Sequence, residues 1–122
     1  MYFYPKDNTS DCTREATDFS EQLPDFKKLN AVVIGIGPDS PRSHEKFAEK
    51  YQFRVLLLSD ERHEVADKYG TWKPKRLYRK EYYGVEHGTF LITPEGKLAQ
   101  VWRKVRVSGH VDDVKRTLEA RH

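Results

Sequence analysis

Tyr2-Phe3-Tyr4-Pro5-Lys6-Asp7-Asn8-Thr9-Ser10-Asp11-Cys12-Thr13-Arg14-Glu15 is the stretch on which the rest of the chain turns. Its first three residues are aromatic and β-prone. Pro5 to Asp11 is rich in the Asp, Asn, Thr and Ser that build turns and helix caps. Ala16, Phe19 and Leu23 then recur at helical spacing. The segment reads as strand, turn and helix, with Ser10 or Asp11 as the helix cap and Cys12 in the first turn. Unpaired N–H groups and the positive end of the helix dipole favour an anion there, so the thiol is biased toward thiolate, the nucleophilic form. The chemistry requires a sulfur at a helix start that side chains do not wall in.

The remainder of the chain sets bounds on that reading. With 122 residues there is room for one small domain and one core. Apolar residues make up 37% and charged residues 34%, which predicts a heavily charged, soluble surface. No apolar run approaches the roughly 20 residues needed to cross a bilayer, and no signal-peptide pattern opens the chain. A single cysteine forms no internal disulfide and fits a reducing, cytoplasmic setting. The 22 basic residues are interleaved with 19 acidic ones, so the net charge of +3 demands no polyanion partner.

Outward from the first helix, Pro24 is expected to break it and residues 25–29 to form a second short piece. Ala31-Val32-Val33-Ile34-Gly35-Ile36 and Val55-Leu56-Leu57-Leu58 are continuous apolar runs, the pattern of buried strands. Between them Pro41 opens a helix with His44, Phe47, Ala48 and Tyr51 on one face. A helix holding Val65, Ala66 and Tyr69 stops at Gly70. Residues 73–83 are basic and aromatic, a loop or hairpin arm. Thr89 to Ile92, a Thr-Pro-Glu-Gly turn, and Leu98 to Val107 make a hairpin, and a last helix carries Val111, Val114 and Leu118. The alternation predicts an α/β sandwich with helices on both faces of a central mixed sheet.

Pro5-x-x-x-Thr9-x-x-Cys12 resembles the active-site signature of peroxiredoxins. Tyr2 to Asp7, Cys12 to Ala16, Pro38-Asp39-Ser40, His44 to Tyr51, Leu57 to Asp60, Thr89 to Ile92 and Val101 to Val105 resemble the bacterioferritin comigratory protein class in particular. The likeness runs from Tyr2 to the last helix. It implies a thioredoxin-like fold in one domain over residues 1–122, and a thiol-dependent peroxidase that reduces hydrogen peroxide and organic hydroperoxides through a cysteine sulfenic acid. Cys12 would be the peroxidatic nucleophile, Thr9 would hydrogen-bond the peroxide or thiolate, and Pro5 would shield the pocket. The reductant would be thioredoxin or a small thiol. No cofactor, metal, nucleic acid or membrane is implied, and the protein would be a monomer or weak homo-oligomer.

The chain departs from that class at four places. Ser10-Asp11 replaces the usual Pro-Gly before the cysteine, and a carboxylate there opposes the helix dipole. Thr17 stands where many members carry a resolving cysteine, which implies a one-cysteine scheme. His87 aligns with the pocket arginine, and an imidazole with an ordinary pKa of ~6.5 is only a part-time cation at neutral pH. Arg14, Arg79 or Arg103 would be substitutes, and His87→Arg would be expected to speed the reaction. The class's N-terminal hairpin and the first half of its central strand have no counterpart, which implies an N-terminally incomplete domain with a sheet edge and part of the core uncovered.

Plainer readings stand beside these. The five histidines (His44, His63, His87, His110 and His122) lack metal-ligand spacing. Lys73 to Lys80 with Tyr78, Tyr82 and Tyr83 reads as a solvated arm, since no nucleic-acid motif accompanies it. The alternative to an enzyme is a catalytically degenerate thioredoxin-fold domain kept for binding or oligomerisation.

Overall fold

The computed structural model describes residues 1–121; His122 lies outside the described residues. Strand β1 (Tyr2–Phe3) occupies the centre of a five-stranded sheet of order β3-β2-β1-β6-β7. It runs parallel to β2 (Ile34–Gly37) and antiparallel to β6 (Gly88–Ile92). Beyond β2 lies parallel β3 (Leu56–Ser59), and beyond β6 antiparallel β7 (Leu98–Arg103). The sheet is mixed, as expected. Residues 73–83 form most of a separate hairpin, β4 (Trp72–Leu77) against β5 (Lys80–Val85).

Strand alternation places Tyr2 and Tyr4 on one face of the sheet and Phe3 on the other, and each face has its own core. Tyr2 and Tyr4 meet Cys12, Phe19, Leu23 and Phe26, with Phe47, Val111, Val114 and Leu118. These come from helices α1 (Ser10–Glu21), α2 (Leu23–Lys28), α3 (Pro41–Tyr51) and α5 (His110–Ala120). Phe3 meets Ile36, Ala66, Val85 and Phe90, so α4 (Glu64–Lys68) and the end of β5 cover the opposite face. Helices do lie on both faces.

Several boundaries differ from expectation. Thr9, rather than Ser10 or Asp11, is the N-cap of α1; its carbonyl accepts from Thr13 N at 2.9 Å. Leu56 and Leu58 are exposed, because β3 is an outer strand covered on one side only. A continuous leucine run does not distinguish an edge strand from a central one. β7 ends at Arg103, short of Val107, where Val105 N turns to the His87 carbonyl at 3.2 Å. What opens beside Met1 is not an outer edge of the sheet but a groove in its middle. Tyr2, Phe19, Phe26, Val33, Leu91 and Val114 are among its walls, and Val32 is 76% exposed.

The central strand packs tightly against its neighbour. A Cβ on Gly35 would lie 2.7 Å from Tyr2 Cζ and 2.9 Å from Leu57 Cδ2. Tyr2 is clamped by Phe19, with ring centroids 4.7 Å apart, and cannot give way freely. Gly35→Ala is therefore expected to destabilise the fold by about 1–3 kcal/mol, read as a lowered urea midpoint with unchanged slope. An unaltered midpoint would show that Tyr2 has room to move.

Candidate active site

Residues 4–9 connect β1 to α1, and a buried polar network anchors the connection. Asp7 Oδ1 accepts from Tyr4 Oη at 2.8 Å. Its Oδ2 accepts from Ser43 Oγ and His44 Nδ1, both at 2.7 Å. His44 Nε2 reaches the Gly37 carbonyl at 3.3 Å, so both ring nitrogens have acceptors. Burial works against charge on either member, but the mutual bonds outweigh it. Bonds from His44, Ser43 and Tyr4 hold Asp7 below the usual carboxylate range, and Asp7 raises His44 above the ordinary imidazole value. A buried imidazolium–carboxylate pair thus ties the turn to α3.

Helix α1 then delivers Cys12 as its third residue, in the first turn. Cys12 is only 1% exposed and packs with Tyr2 and Tyr4. The expected helix start is present; the expected openness is not. Its Sγ lies 3.8 Å from His87 Nε2, and His87 Nδ1 lies 3.2 Å from Glu15 Oε1. Glu15 is one turn on from Cys12, so both project to the same face of α1. The Glu15 side chain has no solvent exposure, while that of His87 has 15%.

This cluster changes the expectation for His87. Burial disfavours its charge, but hydrogen bonds to Cys12 and Glu15, and the charges of both, push it up to about 10. It is an imidazolium at neutral pH rather than a part-time cation. Burial pushes Glu15 up, against the bond and charge of His87. The proton between them rests on the ring, which has Sγ of Cys12 on its far side. A unit charge at about 4 Å is worth about 4 kcal/mol at an effective dielectric near 20, against about 0.3–2 kcal/mol for a helix terminus. His87 is thus a stronger positive neighbour of Sγ than the helix terminus is. The exposed Asp11 carboxylate faces water, where its opposing field is screened.

The other expected site residues are placed differently. Thr9 Oγ1 donates to the Lys6 carbonyl at 2.9 Å. Pro5 is half-buried at the turn. None of the three arginines stands in for His87. Arg14 pairs with Asp18 at 4.0 Å, and Arg79 is exposed in the β4–β5 turn. Arg103 donates to the Tyr69 and Gly70 carbonyls beside Phe90 of the opposite core. Thr17 Oγ1 donates to the Thr13 carbonyl at 2.7 Å. Glu15 escaped the sequence reading, although it occupies a position on the helix's apolar face. Among the described residues no helix is long and apolar enough to cross a membrane.

The AhpC/TSA family matches residues 1–101 of the chain. The chain belongs to that family. Within it the chain is similar to peroxiredoxin Bcp of Bacillus subtilis, 48% identical over 98% of this chain and 76% of the relative. It is also similar to peroxiredoxin Bcp of Escherichia coli K12, 38% identical over 93% of this chain and 73% of that one. Among solved structures, a cysteine-to-serine mutant of Xanthomonas campestris peroxiredoxin Q superposes with a TM-score of 0.94. It is 43% identical, over 99% of this chain and 77% of that one. A structure of the Xanthomonas campestris bacterioferritin comigratory protein, described for its alkyl peroxide reduction, gives a TM-score of 0.93 at 42% identity, over 98% of this chain and 76% of that one. This AhpC/TSA chain is thus a thioredoxin-fold peroxiredoxin of the Bcp class, a family of thiol peroxidases.

The Asp7–His44 pair has a pH signature. A raised His44 stabilises the fold fully below the ordinary imidazole value of ~6.5 and loses that contribution as pH rises through its folded value. A lowered Asp7 contributes above the ordinary carboxylate value of ~3.9 and loses it as pH falls through its folded value. His44→Gln should therefore cost about 2–3 kcal/mol between roughly pH 4 and 6.5, the gap to wild type narrowing at higher pH. Urea midpoints measured from about pH 4 to 9 test it; a gap that instead shrinks as pH falls below about 6.5 would mean that His44 is held neutral.

Proposed function

We propose that this peroxiredoxin reduces hydrogen peroxide and organic hydroperoxides with Cys12 as peroxidatic nucleophile. The observation that carries the reading is the position of Sγ in the first turn of α1, 3.8 Å from an imidazolium that Glu15 holds from behind. The thiolate attacks one peroxide oxygen, the S–O bond forms and the O–O bond breaks. Sulfur is oxidised to sulfenic acid, and the other oxygen leaves with the electron pair and takes a proton. Thr9 and Pro5 shape the turn through which the peroxide enters, and the Cys12 N–H, at the open end of the helix, faces the developing charge.

The chain carries one cysteine, so the sulfenic acid has no second thiol within it. Thioredoxin or a low-molecular-weight thiol then returns the sulfur to its reduced state, in a cytoplasmic setting. At 1% exposure the sulfur is closed off in the resting arrangement, and access depends on movement of His87 or of the turn before α1. The same burial favours a second reading, a silent domain kept for binding or oligomerisation, in which Cys12 is a core residue.

A direct test separates the two. Cys12→Ser is expected to abolish peroxide consumption, and wild type given one equivalent of hydrogen peroxide should be labelled by a sulfenic-acid reagent. Equal consumption by both proteins, with no labelling, would leave the silent domain.

A further inference from the structure

The departing oxygen needs a proton, and the cluster around Cys12 holds one in place. We propose that His87 is the general acid of peroxide cleavage, its Nε2–H protonating the leaving alkoxide or hydroxide while Cys12 Sγ takes the attacked oxygen. This rests on the peroxidase reading above. The step balances as thiolate, hydroperoxide and imidazolium in, and sulfenic acid, alcohol (or water) and neutral imidazole out. Sulfur loses the two electrons that the O–O bond gains on cleavage.

Three observations support it. Nδ1 is committed to Glu15 at 3.2 Å, so the second N–H of the imidazolium, on Nε2, is directed at the sulfur side. Glu15 is fully buried and its Oε2 has no hydrogen-bond partner. A guanidinium fork could engage both carboxylate oxygens, whereas an imidazole engages one and keeps its other N–H for the reaction. The proton is also released at the right moment. The bond to Cys12 and the charge on the sulfur are two of the influences that hold it on His87, and both disappear when the thiolate becomes a neutral sulfenic acid. The group that was a steady cation becomes a stronger acid in the step that creates a base.

The surrounding charges are consistent with that role. Cys12 and Glu15 face His87 from α1. His110 of α5 is pushed down to about 4 by burial, with His87 also disfavouring its charge against Asp113, so it is neutral and offers no competing proton. Lys75 of β4, lowered by burial against Glu86 and Cys12, donates to the Val85 carbonyl at 2.6 Å. On β1, burial and the charges of Glu15, Cys12 and Asp7 keep Tyr2 protonated. With 15% of its side chain in solvent, His87 can regain its proton from water after each cycle. An arginine, which does not give up its proton in proteins, would supply charge alone.

The test uses the full chain in single-turnover oxidation, following sulfenic-acid formation with tert-butyl hydroperoxide and with peracetic acid. The first expels a basic alkoxide; the second expels a carboxylate that needs no proton. His87→Arg preserves the charge beside the sulfur. It is expected to lose about 100-fold in rate with tert-butyl hydroperoxide and to change little with peracetic acid. His87→Gln, a smaller change, should show the same inequality, with circular dichroism verifying its fold. Loss by the same factor for both oxidants, or no loss for either, would overturn the proposal while leaving Cys12 as nucleophile. A wild type that Cys12→Ser matches in peroxide consumption would instead overturn the peroxidase reading beneath it.

Discussion

A carboxylate with no contact with water must find a positive partner or give up its charge, and Glu15 is such a carboxylate. Its position on the inward face of α1 dictates the local arrangement around it. The residues just ahead of β6 have to bring a cation to it, and His87 is that cation. Cys12 lies one turn earlier on the same face, so satisfying Glu15 also sets an imidazolium beside the sulfur. One buried ion pair thus sets both the packing and the charge beside the sulfur.

The two ends of the strand–turn–helix unit are secured in different ways. At its start, Tyr2, Phe3 and Tyr4 insert between two cores and lock β1 at the centre of the sheet. In the turn, Asp7 and His44 form a second buried ion pair that ties the loop to α3. The first turn of α1 therefore emerges from a fixed platform, while its own residues Ser10 and Asp11 remain exposed. A rigid base with a solvent-facing first turn is compatible with the proposed site, whose sulfur is covered at rest. Electrostatic stabilisation acts best where donors are already oriented and water is excluded.

An imidazolium and a guanidinium beside Glu15 differ in what they can do, not merely in how strongly they are charged. A guanidinium offers a permanent charge in a planar fork. In the proposed step an imidazolium would hold its charge while both neighbouring anions persisted and would become an acid when one of them was consumed. Engaged by an imidazole at one oxygen, Glu15 keeps its Oε2 unpaired.

Read alone, the sequence was enough for the order of elements, the mixed sheet with helices on both faces, and the seat of Cys12 at a helix start. Each follows from local signals: turn chemistry at residues 5–11, proline and glycine at helix boundaries, and the period of apolar residues. It misjudged β3, because three successive leucines look alike on an inner and an outer strand. It passed over Glu15 although a carboxylate on the apolar stripe of Cys12, Ala16 and Phe19 was a visible anomaly. What only the tertiary structure decided was the company of the sulfur. His87 is 75 residues from Cys12 and His44 is 37 from Asp7, and the charge of each imidazole is set by groups distant in sequence and near in space. Ionisation depends on burial and on neighbours across the fold, and no local pattern in a chain encodes either.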